Sequence, residues 1–226
     1  MPKFEYVFKR EFKPYKAEIL EIINMVQDEV RKHFTLERRF VGSASRDMIT
    51  REINGNIGFD FDVDLEPNIQ IGEYSPFEIR DILYKAIKRC ARKFGYSTTE
   101  NSTSVITIKV VDKYNKKVEH SCDFAIVHRC DDGRYKYIRF NKVLPFYCSW
   151  EYRPTHYDIE DKLQWILDNK LKQKLRDQYI DNKNSIYNQH KKSITVFAET
   201  VHSIYNQYNR NSTNIGLINP FRMGLL

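Results

Sequence analysis

A strand-length stretch of alternating residues constrains this chain more than any other feature of its sequence. From residue 59 to 65, large apolar side chains alternate with Asp60, Asp62 and Asp64. A period of two is that of a β-strand, so the pattern predicts a strand over 57–65 with an apolar face and a carboxylate face. Like charges on one strand face repel, and aspartate is a poor strand former. A bound cation such as Mg2+, which takes carboxylate oxygens, would explain the arrangement better than charge on a protective edge strand.

Two other segments carry groups that suit metal ions and phosphate. Asp123 is a single acid at the start of an apolar strand, and it can face the same ions if its strand lies beside the acidic one. Upstream, Gly42 and Ser43 end a predicted strand. Glycine lets the backbone approach a phosphate closely, and the hydroxyl and nearby N–H groups can donate hydrogen bonds to it. A Gly-Ser pair alone is a weak signal, which gains weight from its place ahead of the acidic strand.

The rest of the chain predicts helices and strands around these segments. Helical spacing of apolar residues predicts a helix over 16–33, and a capping Ser75, Pro76 and Glu78 predict another to about Lys93. Runs rich in β-branched residues predict strands over 105–111 and 118–127, which form a hairpin, and a turn at Asp132-Gly133 predicts a further strand over 135–140.

The C-terminal third predicts helices instead of strands. Asp158 can cap a helix that carries apolar residues from Leu163 to Leu171, and a second helix follows a break at 182–185. An extended tail is expected over 219–226. We therefore expect an α+β fold: a mixed sheet flanked by helices over 1–150, followed by a helical C-terminal lobe over 151–226.

Composition predicts a globular cytoplasmic protein. Hydrophobic residues make up 41% of the chain, enough for a core, and no apolar run approaches the roughly 20 residues of a membrane span. The N-terminus lacks an apolar signal core. The four cysteines match no zinc or redox spacing, so we expect free thiols in a reducing compartment. They are Cys90, Cys122, Cys130 and Cys148.

The net charge of +7 at pH 7 favours partners that carry phosphate, because a basic surface attracts anions. The excess is divided almost evenly between the two parts of the chain, and no basic tail is set apart for nucleic acid. Charge therefore supports nucleotide binding more strongly than nucleic-acid binding.

Taken together, the three segments resemble the DNA polymerase beta superfamily of nucleotidyltransferases. In that family a helix leads to an apolar residue and a Gly-Ser pair, followed by a strand with Asp-x-Asp and a third carboxylate on a later strand. The matching stretches are Val41 to Ser45, Phe59 to Leu65 and Cys122 to Ala125. The resemblance covers roughly residues 15 to 128 and is greatest to template-independent members, such as oligoadenylate and cyclic-dinucleotide synthetases and small bacterial transferases.

The resemblance implies a Mg2+-dependent nucleotidyltransferase that moves NMP from an NTP to an acceptor hydroxyl and releases pyrophosphate. Gly42 and Ser43 would hold the triphosphate, and Asp60 and Asp62 would bind two Mg2+ ions. Asp123 would be the third metal ligand and accept the proton of the hydroxyl. The acceptor stays open between RNA, protein, a second nucleotide and a small molecule, and a partner subunit is a further expectation.

The chain departs from the family pattern in its spacing. Sixteen residues separate Ser43 from Asp60, more than usual, which predicts an extra loop around 54–56. The third aspartate leaves the metal pair open between Asp60 with Asp62 and Asp62 with Asp64, and the first choice minimises the excess spacing. Two other functions stay open. One is a non-catalytic nucleotide- or RNA-binding module on the same fold. The other is a phosphohydrolase, although the chain lacks the His-Asp pairs that are usual in such sites.

Overall fold

The structure, a computed structural model, describes residues 3–70, 72–141, 147–154 and 157–215. The chain divides into two compact units, with the boundary after Thr155. The strands of the first unit are β1 (Phe4–Tyr6), β2 (Thr35–Val41), β3 (Thr50–Glu52), β4 (Ile57–Asn68), β5 (Thr98–Asn101), β6 (Ile106–Asp112), β7 (Lys117–Arg129), β8 (Tyr135–Asn141) and β9 (Tyr147–Tyr152). Its helices are α1 (Lys9–Val30), α2 (Gly42–Ser45) and α3 (Pro76–Arg92). The second unit contains α4 (Tyr157–Asp168), α5 (Lys172–Asn184) and α6 (Ser193–Ile215).

The main sheet of the first unit is mixed. Its strands lie in the order β2-β4-β7-β6-β5, and β8 pairs with β7 and with β9. β4 and β7 are parallel, whereas the other neighbours in this sheet are antiparallel. A parallel pair needs a long crossover connection, and here α3, β5 and β6 supply it. The predicted α+β class with a mixed sheet flanked by helices is confirmed.

The apolar face of β4 forms the centre of the core. Phe59, Phe61, Val63 and Leu65 are each at most 7% exposed. They share one hydrophobic cluster with the buried faces of α1 and α3. Burying a side chain of this size contributes about 1.5–3 kcal/mol. The alternation of the sequence therefore fixes which face of β4 points into the core and which face carries the aspartates.

Most helix and strand predictions are confirmed, with shifted ends. Ser75 accepts a hydrogen bond from the Glu78 N–H at the start of α3, as the capping motif predicts. α1 begins earlier than predicted, because Phe12 in its first turns is buried in the core.

The single helix predicted from Asp158 through Leu171 is wrong. Lys170 has φ of 59°, a left-handed conformation that ends the helical backbone after α4, and α5 begins at Lys172. The tail predicted over 219–226 lies outside the described residues.

The extra residues between Ser43 and β4 contain the short strand β3 as well as the loop that the sequence predicts around 54–56. β3 pairs antiparallel with β1, and Arg51 bridges Glu5 and Glu11 at 2.7 Å each. A turn follows, in which Asn54 has φ of 60°. The backbone hydrogen bonds of this short sheet satisfy groups that a loop would leave to water.

Gly58 lies at a close approach between the backbones of β4 and β7. A Cβ atom at this position would lie 1.8 Å from the carbonyl oxygen of Glu119. No side chain fits at that distance, so a residue other than glycine would push the two strands apart.

The second unit consists of α4, α5 and α6. Ile166, Val201 and Ile204 are fully buried in it, and Asn182 donates a hydrogen bond to the buried Thr200 hydroxyl at 2.9 Å. In the described part of the chain, no helix has the length and apolarity that crossing a membrane requires. β9 continues to Tyr152, past the predicted domain boundary at 150, and the assignment of 1–150 and 151–226 to two functional domains stays a prediction.

Candidate active site

The pleat of β4 places Asp60, Asp62 and Asp64 on one face of the sheet. In the parallel pairing of β4 with β7, Asp62 lies directly opposite Asp123. Asp60 lies opposite Ser121, and Asp64 lies opposite Ala125. The strand of Asp123 therefore lies beside the acidic strand. From the sequence, this adjacency was only a condition for Asp123 to face the same ions.

The electrostatics of this cluster favour a bound cation. Burial, and then the neighbouring charges of Asp60 and Asp123, raise the pKa of Asp62 to about 7. Burial also raises the pKa of Asp123, and the charge of Asp60 adds to this effect. Each carboxylate thus disfavours the charge of the next, and Arg153 is the cation that opposes this at Asp62. A divalent ion would remove the repulsion.

The carboxylates are suitable ligand types for Mg2+, although their side chains do not form a complete coordination site. Carboxylate oxygens are the ligands that this ion prefers. Within the described ranges, no three Asp, Glu, His or Cys side chains converge closely enough to hold an ion as they stand. The cluster is therefore a set of suitable donors at adjacent strand positions.

Gly42 brings the backbone against Asp62. It has φ of 62°, in the left-handed region, and a Cβ atom added to it would lie 2.4 Å from Oδ2 of Asp62. The short helix α2 begins at this glycine, and the Ser45 hydroxyl donates to the Gly42 carbonyl at 2.9 Å. The carbonyl of Ser43 accepts from the Met48 N–H at 2.9 Å. The Gly-Ser turn is thus fixed beside the acidic strand, where the sequence predicts it.

Asp64 lies on the same face but in different surroundings. Its carboxylate is only 2% exposed and accepts hydrogen bonds from Arg39 Nη2 at 3.0 Å and from both Nη atoms of Arg153, at 2.8 and 2.9 Å. Two guanidinium groups already neutralise this carboxylate. The geometry therefore favours Asp60 with Asp62 as the metal pair over Asp62 with Asp64.

Three residues around the carboxylates were not identified from the sequence. Thr107, on β6, donates its hydroxyl to Asp123 Oδ1 at 2.6 Å. Arg39 pairs with Asp64 across β2 and β4, and the antiparallel register Arg39 to Asp64 follows from placing Val41 opposite Asp62. The sequence could therefore have indicated Arg39 if β2 had been placed beside β4. Arg153, 89 residues from Asp64, gave no such signal.

His120 lies on the opposite side of β7 from Asp123, as expected for residues three apart on a strand. It is 2% exposed, and its ring packs near the rings of Tyr15 and Phe59. Its Nε2 shares a hydrogen bond of 3.0 Å with the Tyr96 hydroxyl, and burial lowers its pKa to about 4. It is a neutral residue of the core and not part of the acidic cluster.

Several solved structures share this fold. The chain resembles DncV from Vibrio cholerae with GTP bound, with a TM-score of 0.54 and 17% identity, over 87% of this chain and 52% of that one. DncV from Escherichia coli, bound to 3'-deoxy GTP, gives a TM-score of 0.54 and 16% identity over 87% and 53%. Vibrio cholerae DncV, described as a cyclic AMP-GMP synthase in complex with a linear intermediate, gives 0.51 and 15% over 83% and 52%. This chain has the nucleotidyltransferase fold.

The fold implied by the resemblance to the DNA polymerase beta superfamily is thereby confirmed. No protein-family model matches the chain, and no curated protein matches it. The chain spans about half the length of these nucleotidyltransferase structures.

Proposed function

We propose that this chain is a Mg2+-dependent nucleotidyltransferase, which transfers NMP from an NTP to an acceptor hydroxyl and releases pyrophosphate. The observation that carries the proposal is the pairing of Asp62 with Asp123 across two parallel strands, with Asp60 beside them and Gly42 against Asp62. A structural protein has no reason to place three carboxylates together where each raises the cost of ionising the next. Solved structures of this fold that hold GTP or 3'-deoxy GTP support it.

The residues divide the work between phosphate binding and metal binding. The backbone of Gly42 and the hydroxyl and N–H of Ser43 would hold the triphosphate close to Asp62. Asp60, Asp62 and Asp123 would hold two Mg2+ ions. When bound, such ions neutralise charge on the transferring phosphoryl group and lower the pKa of the acceptor hydroxyl.

Asp123 is suited to accept the proton of the acceptor. The Thr107 hydroxyl donates to its Oδ1 at 2.6 Å, which holds the carboxylate in one orientation. The acceptor oxygen forms a bond to the α-phosphorus as its proton moves to Asp123, and the bond to the departing pyrophosphate breaks.

The donor and acceptor are proposed only by class. The relatives in the solved structures hold purine nucleotides, and one holds the linear intermediate pppA(3',5')pG, so a nucleotide hydroxyl is one acceptor to test beside RNA and protein. We place the reaction in the cytoplasm, and we propose that a partner subunit contributes to the acceptor site. Mass spectrometry of the products formed with all four NTPs would identify donor and acceptor.

The decisive experiment removes the charge of two metal ligands. The double variant Asp60→Asn, Asp62→Asn should lose about 100- to 1000-fold in pyrophosphate release and in transfer of label from NTP to acceptors in a cell extract. The matched control is Asp112→Asn, Asp132→Asn, which removes two carboxylates of the same unit, one at the end of β6 and one in the turn before β8. Unchanged labelling by the Asp60→Asn, Asp62→Asn variant would contradict the proposal.

A non-catalytic nucleotide- or RNA-binding module is the alternative, and one observation favours it. In the described residues the carboxylates do not converge on an ion, and Thr107 already occupies one oxygen of Asp123. This alternative predicts that the chain binds nucleotide equally well in EDTA and releases no pyrophosphate with any acceptor fraction. The proposed enzyme requires Mg2+ for release.

A further inference from the structure

Asp64 joins two arginines that come from distant parts of the chain. Arg39 lies on β2 and Arg153 follows β9, and both donate to the same buried carboxylate at 2.8–3.0 Å. The Tyr135 hydroxyl accepts a further bond from Arg39 Nη1 at 2.8 Å, and the tyrosine ring lies under the same guanidinium. The backbone N–H of Arg153 donates to the Tyr135 carbonyl. The two guanidinium groups are therefore held in place from several sides.

The charges of this cluster do not cancel. One carboxylate faces two guanidinium groups, and the carboxylate is 2% exposed, whereas the side chains of Arg39 and Arg153 are 49% and 36% exposed. A pair built only to neutralise Asp64 would need one arginine. The second leaves a net positive charge, and that charge is on the solvent side of the cluster.

Both arginines keep donors for another ligand. A guanidinium carries five N–H donors in a planar fork, and the bidentate bond to Asp64 uses two of those on Arg153. Among the described residues, Asp64 is the one acceptor bonded to the Arg153 side chain. Planar forks of this kind match the oxygens of a phosphate group.

The cluster lies beside the residues that we propose to hold the nucleotide. Asp64 is two residues from Asp62 on the same strand face, and the charge of Arg153 reaches the Asp62 carboxylate. Gly42 contacts Asp62 as well. A nucleotide held at Gly42 and Asp62 would thus have cations within reach on the Asp64 side of the metal ligands.

We propose that Asp64 is a positioning residue, which holds Arg39 and Arg153 as a binding site for a phosphate group of the nucleotide substrate. This inference rests on the proposed nucleotidyltransferase function. It assigns to Asp64 a role distinct from metal ligation, and it assigns to the two arginines a direct contact with substrate.

Binding measurements test the arginines apart from catalysis. Isothermal titration would give the Kd of non-hydrolysable ATP and GTP analogues, and of adenosine and guanosine, for the wild type, Arg153→Gln and Arg39→Gln, with Mg2+ and in EDTA. We expect each variant to bind the triphosphate analogues at least about 10-fold more weakly, because a charge-assisted bond is lost, and the nucleosides equally well. The control is Arg139→Gln on β8. It also removes one arginine charge, but among the described residues the only ion pair that it breaks is the exposed one with Glu151 on β9.

A second pair of variants tests positioning. Arg153→Lys keeps the charge without the fork, so it should bind the analogues with intermediate strength. Asp64→Asn keeps both arginines but releases them, so it should also weaken analogue binding and leave nucleoside binding unchanged. Thermal unfolding would establish that each variant is folded at the temperature of the titration.

The outcomes separate this inference from the proposed function. A wild type that binds no analogue and releases no pyrophosphate contradicts the function itself. A wild type that does both, beside arginine variants whose analogue Kd stays within twofold, overturns the arginine site alone. Titration with AMP and GMP then locates the contact: a loss shared with the monophosphates indicates the first phosphate, and a loss confined to the triphosphates indicates the outer two.

Discussion

The acidic face of β4 carries the same residue type in opposite surroundings at its two ends, one formed by Asp60 and Asp62 and the other by Asp64. At one end, Asp62 faces Asp123, and burial and like charge raise its pKa to about 7. At the other end, Asp64 faces Ala125 and is neutralised by two arginines. The Asp62 end carries repelling carboxylates that the charge of Arg153 offsets only in part, and the Asp64 end has more positive charge than its carboxylate needs.

This contrast shows that strand pairing, and not the acidic pattern itself, sets the surroundings of each aspartate. The period of two places all three aspartates on one face but says nothing of their neighbours on adjacent strands. β7 contributes an acid at the first end and an alanine at the second, while β2 contributes Arg39. The proposed metal-binding end and the cationic end therefore differ in what the neighbouring strands β2 and β7, and Arg153 after β9, supply.

The largest expected effect comes from removing the charge at the cationic end. Asp64→Asn leaves two guanidinium groups without their buried partner, and breaking a buried pair costs about 3–5 kcal/mol. Because both arginines are partly exposed, we expect a smaller loss of about 2–3 kcal/mol in the free energy of unfolding. Urea denaturation in EDTA would measure it, with Asp81→Asn as the control for an exposed pair. A loss below about 0.5 kcal/mol would show that the two ends do not differ.

The same substitution at the other end should have the opposite sign. The pKa of Asp62 is raised in the folded protein, so the folded state keeps a proton that the unfolded state has released, and stability falls as pH rises from about 4 to 7. The rise in this pKa corresponds to about 4 kcal/mol, and Asp62→Asn should recover about 1–2 kcal/mol of it at pH 8 in EDTA, because the asparagine still buries a polar group.

A matched measurement at pH 3 provides the control for Asp62→Asn. There the aspartate is largely protonated in both states, so the variant and the wild type should unfold at similar denaturant concentrations. A variant that is less stable than the wild type at pH 8 would contradict the repulsion that we assign to this end.

The smallest effect is expected where the backbone touches Asp62. Gly42→Ala forces a left-handed φ on an L-residue, which costs about 1–2 kcal/mol, and its Cβ would displace the Asp62 carboxylate. We expect a loss of about 1 kcal/mol in stability and a larger proportional loss in pyrophosphate release. Gly95→Ala is the matched control, since it also has a positive φ but open space around it. Equal activity in the two variants would show that Gly42 does not position the metal-binding end.

Local pattern predicted much of the fold and most of the candidate site. The alternation in β4, the capping residues of α3 and the hairpin of β6 and β7 are all written in short stretches, and each is present in the structure. The adjacency of Asp62 and Asp123 was expected as a condition of the family pattern. The roles of Gly42, Ser43, Asp60, Asp62 and Asp123 remain predictions that the experiments above test.

What the sequence did not predict depends on contacts between distant residues. Arg153 meets Asp64 across 89 positions, and no period or spacing signals such a pair. β3 was not predicted, because its pairing with β1 joins the first residues of the chain to an insertion near residue 50. The break before α5 was missed because Lys170, which is not a glycine, adopts the left-handed conformation.

The close approach of β4 and β7 at Gly58 also bears on the carboxylates of the acidic face. Asp62 lies four residues beyond this glycine on β4, and Asp123 lies at the matching position on β7. Because a side chain at position 58 would push the two strands apart, we expect any larger residue there to disturb the pairing that brings Asp62 and Asp123 together. A residue that bears no charge and has no side chain would thus help to keep the two proposed metal ligands side by side.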